Sequence, residues 1–188
     1  PILLGHSFGS IITSAYATQY PETIEKLILV NPIGAPALEG PKAIMTKLAI
    51  FYYWLGEKLP STLAGQWLGA KPIVMIMSIT MAKTKDKKLR HYIHDQHLTY
   101  FSRFHSPKSV SEAFKTSTQN SARDTAPRVH IPTLLIAGDK DDITPLQKQH
   151  ELEALFPDAS LQVIANVGHL THYETPKEVS GYISDFIE

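Results

Sequence analysis

The sequence predicts an α/β fold, a parallel sheet flanked by helices and interrupted by a helical insertion. Three observations carry this. Short apolar runs recur at the two ends of the chain, helical segments with readable starts follow them, and the alternation stops in the middle. Ile2-Leu3-Leu4, Leu27-Ile28-Leu29-Val30 and Leu134-Leu135-Ile136-Ala137 are continuous apolar runs of the kind found in parallel strands buried on both faces. Leu161-Gln162-Val163-Ile164 is a fourth, less uniform run. After the first run, Ile11, Ile12, Ala15 and Tyr16 recur at helical spacing ahead of Pro21. Thr144-Pro145-Leu146-Gln147 and Thr175-Pro176-Lys177-Glu178 each place a capping Thr, a Pro at the first helical position and Gln or Glu at the third. Beyond the second start, Val179, Ile183, Phe186 and Ile187 form one apolar stripe for a sheet to receive.

Residues 1–32 and 127–188 therefore build the sheet layer, and residues 33–126 read as a helical insertion holding all four Met and both Trp. Helices are expected over Lys42 to Glu57, Pro72 to Lys83, Asp86 to Arg103 and Lys108 to Ser121, separated by Gly-Pro, Leu-Pro and Ser-Pro breaks. Lys83, Lys85, Lys87, Lys88 and Arg90 make a basic run that reads as a solvated helix face. His91, His94 and His97 do not read as a metal site, because a third His at i+6 has rotated away from the first and no further ligand accompanies them.

Composition narrows the function classes. Of 188 residues, 43% are hydrophobic and 19% charged, with eighteen basic residues balancing eighteen acidic ones, so no overall field draws a nucleic acid to the chain. Having no cysteine, the chain has no disulfide, thiolate metal site or Cys nucleophile. The longest apolar stretch, Ile73 to Ala82, falls short of the roughly 18 residues a transmembrane helix needs. The text begins at Pro1, inside an apolar run, and reads as the carboxy-terminal part of a longer protein.

Gly5-His6-Ser7-Phe8-Gly9 matches G-x-S-x-G between an apolar strand and a helical pattern, the strand-turn-helix context a nucleophile elbow requires. A turn this sharp holds Ser7 in a strained conformation, and a Cβ at position 5 or 9 is expected to collide with it. A serine hydroxyl needs a base, and the base an orienting acid. Asp139, Asp141 and Asp142 lie just past the third strand and His169 just past the fourth, where sites form in open α/β sheets.

GHSFGS, PTLLIAGDKDDITP and VGHLTHYETP together resemble the elbow, acid loop and histidine loop of the α/β-hydrolase fold family. The resemblance spans nearly the whole chain. It implies Ser7 as nucleophile, Asp141 as the acid, given Gly138 before it and Ile143-Thr144-Pro145 after it, and His169 of Gly168-His169 as the base. It also implies an oxyanion hole using the Phe8 backbone N–H and a second N–H from a loop that this sequence does not contain. The insertion resembles the family's lid. His6 is expected to pack beneath the elbow and His172 to orient its loop. The implied activity is cleavage of an ester or similar acyl bond of a small, largely apolar substrate, with no cofactor or metal. Carbon-carbon hydrolase, peptidase, thioesterase and haloperoxidase chemistries remain open, as does a non-catalytic ligand-binding role. Peripheral contact of the lid with a membrane is compatible with its aromatic and Met content.

Overall fold

The computed structural model describes residues 1–36 and 43–188; of the expected helix from Lys42, its first residue and the preceding Gly-Pro break lie outside them. Four strands, β1 (Ile2–His6), β2 (Lys26–Val30), β3 (Thr133–Gly138) and β4 (Ala159–Ile164), form one sheet in the order β1-β2-β3-β4. Every pairing is parallel, as helical crossovers between successive strands require. All four strands include the apolar runs seen in the sequence.

The two sheet faces are covered separately, because neighbouring residues of a strand point to opposite sides. Leu27, Leu29 and Leu135 pack with Ala17 of α1 (Phe8–Gln19) and with Leu152 and Phe156, in and just beyond α7 (Leu146–Glu153). Ile28, Val30, Leu134 and Ile136 pack on the other face with Val179, Ile183 and Phe186 of α9 (Pro176–Ile187), which follows the short α8 (Thr171–Glu174). Ile187, expected in that stripe, is 43% exposed at the helix end. On α1 the buried face is Ser10, Ile11, Ser14 and Ala17, and Ile12 and Tyr16 are exposed.

The chain divides into two compact units, residues 1–35 with 120–188 and residues 36–119. The second unit contains α2 (Ala43–Lys58), α3 (Ser61–Leu68), α4 (Lys71–Met81), α5 (Lys87–Tyr100) and α6 (Pro107–Gln119). α3 was not expected: its eight residues are too few to show a clear period. It is fixed by its neighbours, with Trp67 stacked on Tyr52 and donating its indole N–H to the Tyr52 carbonyl. Asp86 caps α5 by accepting from the Lys88 and Leu89 amides. No helix among the described residues is long and apolar enough to cross a membrane.

Candidate active site

The three non-glycine residues of positive φ among those described are Ser7 (50°), Asn31 (44°) and Asn166 (63°). They follow β1, β2 and β4. Strained backbone thus collects at the carboxyl end of the sheet, where loops assemble sites in open α/β folds.

Ser7 is set by its turn. Its amide donates to the Val30 carbonyl at 3.0 Å, so the chain leaves β1 still bound to β2 and enters α1 at once. An added Cβ on Gly5 would stand 2.4 Å from Thr13 Oγ1 and 2.5 Å from the Gly9 carbonyl oxygen, so the close approach of turn and helix demands glycine there. Gly9 differs from expectation: a Cβ at that position meets nothing within 4 Å. Ser10, fully buried, ties the turn to the next loop. Its hydroxyl donates to the Ser7 carbonyl at 2.6 Å and accepts from the Ile33 amide at 3.0 Å.

The structure brings Ser7, His169 and Asp141 into one hydrogen-bonded chain. His169 Nδ1 lies 2.8 Å from Asp141 Oδ2, and His169 Nε2 lies 2.8 Å from Ser7 Oγ. A carboxylate only accepts, so Nδ1 carries the proton of the neutral ring and Nε2 accepts from the serine hydroxyl. Both Asp141 and His169 are buried, at 4% and 3% exposure. Phe8 opens α1, a position whose N–H has no acceptor within the helix.

Asp141, rather than Asp139 or Asp142, faces the imidazole. Asp139 accepts from the Asn166 amide at 2.6 Å and pairs with Lys140 at 3.5 Å, and Asp142 is exposed. Asp141 is richly solvated by protein. Its Oδ1 accepts from the Ile143 and Thr144 amides, at 2.8 and 3.0 Å, and its Oδ2 from Thr144 Oγ1 at 2.5 Å and Asn31 Nδ2 at 2.9 Å. Burial pushes its carboxyl up, but the His169 contact and the Thr144 hydroxyl and amide outweigh that and hold it below the usual value. Thr144 was expected to cap α7; its hydroxyl serves the carboxylate instead, and Pro145 occupies the cap position. Thr175 stands at the cap position of α9, but its hydroxyl turns back to the Thr171 carbonyl.

Asn31 escaped the sequence reading. It is fully buried and joins three loops. Besides Asp141 Oδ2, its Nδ2 reaches the Gly168 carbonyl at 3.4 Å, and its Oδ1 accepts from Thr171 Oγ1 at 2.6 Å. The one available signal was an Asn directly after a strand, a residue type that tolerates left-handed backbone.

His6 lies against the histidine loop. Its Nε2–H donates to the His169 carbonyl at 3.0 Å, and its ring is 5.1 Å from that of His169 and 4.4 Å from that of His172. Burial, with His169 and His172 beside it, lowers its pKa to about 3, so it stays neutral and its proton sits on Nε2. His172 is lowered too, by burial and then by His169. Far along the chain, His94 and His97 each direct Nδ1 to Ser78 Oγ, at 2.6 and 2.7 Å, and His91 is exposed.

Comparison with known proteins agrees with this arrangement of elements. The family described as "Serine aminopeptidase, S33" matches residues 1–176. The uncharacterized hydrolase YugF of Bacillus subtilis is 26% identical over 192 residues, covering 100% of this chain and 65% of that protein. Lipase 3 of a Moraxella species is 24% identical over 194 residues, covering 94% of this chain and 52% of its own length. Among solved structures, a thermophilic esterase from Thermogutta terrifontis superimposes with a TM-score of 0.75 at 21% identity, over 99% of this chain and 64% of that one. The chain thus spans less than two thirds of the length of these relatives.

Proposed function

Since the chain belongs to the α/β-hydrolase family, by the match of residues 1–176 to the S33 family, we propose that the protein is a serine hydrolase cleaving an ester or similar acyl bond of a small, largely apolar substrate. The observation that carries this is the unbroken chain of hydrogen bonds from Asp141 through His169 to Ser7.

Ser7 Oγ attacks the acyl carbon as its proton passes to His169 Nε2. Asp141, already ionised, holds the ring by Nδ1 and stabilises the imidazolium that forms. The Phe8 N–H, at the positive end of α1, faces the charge that develops on the carbonyl oxygen. The tetrahedral intermediate expels the alcohol, which takes the proton from Nε2. Water then repeats the sequence on the acyl-serine, releasing the acid and restoring Ser7. Every group needed for proton movement is a side chain of this chain, so no cofactor enters the scheme. The relatives named as a lipase and an esterase fit an acyl substrate, and the S33 description makes a peptide bond the second substrate class to test.

The test is labelling by a fluorophosphonate and hydrolysis of p-nitrophenyl esters of graded chain length, alongside amino-acid p-nitroanilides. Labelling and turnover should both disappear in Ser7→Ala, with turnover falling by several powers of ten. Equal ester turnover in Ser7→Ala and parent would exclude Ser7 as the nucleophile. Faster anilide than ester turnover would move the substrate class to peptides.

A further inference from the structure

The neutral total charge conceals a segregation. Residues 36–119 hold twelve lysines and arginines against five acidic residues, a net +7, while the rest of the chain holds six against thirteen, a net −7. The cationic unit is also the one whose longest helix is apolar on both sides. On α2, Tyr53 stacks on Phe114 of α6 at 4.0 Å and Tyr52 on Trp67 of α3 at 5.3 Å. That face satisfies the packing of the unit.

The opposite face has no such use. Ile44, Leu48, Phe51 and Trp54 are 74%, 58%, 59% and 49% exposed, and at 100° per residue the first three fall within one narrow stripe with Trp54 at its flank. Phe51 and Trp54 stack on each other at 5.8 Å. Lys47 and Lys58 lie on the same side of the helix by the same spacing, with Lys58 Nζ 5.8 Å from the Trp54 ring.

We propose that this face of α2 docks the protein on an anionic lipid surface, with Ile44, Leu48, Phe51 and Trp54 entering the headgroup boundary and Lys47 and Lys58 meeting the lipid phosphates. Apolar residues interleaved with lysines on a helix too short to span are the pattern of a helix lying in the interface plane. At 16 residues, α2 extends about 24 Å, less than the hydrocarbon core. The charge decides among occupants. A second copy presenting the same face would set one strongly positive unit against another, and a nucleic acid would gain nothing from Ile44 and Leu48, which offer no ring to stack on a base. An anionic bilayer matches both the charge and the aliphatic chains.

The experiment uses the full chain carrying Ser7→Ala, so that binding is read without turnover and stands or falls apart from the hydrolase assignment. Sedimentation with phosphatidylcholine vesicles, with and without phosphatidylserine, should show binding to the anionic vesicles alone, lost when salt is raised to about 0.5 M. Lys47→Glu with Lys58→Glu, and separately Phe51→Ser with Trp54→Ser, should each lower the partition coefficient by about tenfold or more. These side chains are exposed, so thermal unfolding should match the parent. A blue shift of tryptophan fluorescence on adding anionic vesicles, absent in Trp54→Phe, reports the same contact without charge reversal. Equal binding to neutral vesicles, no binding to either kind, unchanged binding by the aromatic double variant, or tighter binding to duplex RNA than to anionic vesicles would each overturn the proposal.

Discussion

Replacing Asn31 by Asp tests whether the buried amide is part of the acid's electrostatic setting. The substitution preserves size, tolerance of the 44° φ and the acceptor for Thr171 Oγ1. It changes the donor 2.9 Å from Asp141 Oδ2 into a second carboxylate. Two unit charges at that separation repel by about 6 kcal/mol at an effective dielectric of 20, equivalent to about four pKa units. One carboxyl of the pair therefore keeps its proton through neutrality and donates to the other. A folded-state pKa raised above the unfolded value gives stability that is complete below about pH 4 and is lost as pH rises. Between that value and pH 7, about three units, the loss is about 4 kcal/mol. In the parent Asp141 is lowered, so its contribution is complete above about pH 4, flat up to pH 7, and lost only on further acidification. Urea unfolding of both proteins at pH 4.5 and pH 7 should give stability differences that grow with pH. A variant as stable as the parent at pH 7, with the same pH slope, would refute the electrostatic role of Asn31. Asn31→Gly, which deletes the link but accepts the backbone, should lower ester kcat/KM by about 10- to 100-fold, the scale of small displacements of reacting groups.

Further outcomes follow from other contacts. His6, lowered to about 3, binds its proton in the unfolded chain first, so the parent should lose stability as pH falls from about 6.5 toward 3, at up to about 1.4 kcal/mol per unit. His6→Gln, which keeps an N–H donor for the His169 carbonyl, should flatten that slope in denaturation series, and an unchanged slope would remove His6 from the account. Gly5→Ala should destabilise the protein and suppress turnover, because its Cβ meets Thr13 Oγ1 at 2.4 Å. Gly9→Ala should leave stability unchanged or raise it by about 0.5–1 kcal/mol, as in other helices; equal losses in the two variants, seen by calorimetry, would contradict the turn geometry. Thr144→Val removes the hydroxyl from Asp141 Oδ2 and should cost about 1.5–3 kcal/mol, the worth of a hydrogen bond to a charged group, measured by urea titration.

The sequence by itself determined what depends on neighbours along the chain. Apolar runs located all four strands: β2 and β3, buried on both faces, leave no polar alternation to misread, and β1 and β4, at the sheet edges and partly exposed, still keep apolar runs. The turn at Ser7 was legible because strand, sharp turn and helix follow one another within a few residues, and Gly5 is forced by that crowding. Only the tertiary structure decided what depends on distant segments. Asn31 and Asp141 are 110 residues apart and Ser7 and His169 are 162 apart, so no periodicity records their contact. Thr144 shows the difference within a single residue. Locally it has the form of a helix cap, but the buried carboxylate beside it takes its hydroxyl, and Pro145 stands at the cap position with the helix starting at Leu146. The division of charge likewise needed the fold, because a total of zero acquires a sign only when the chain is partitioned into the units that fold together.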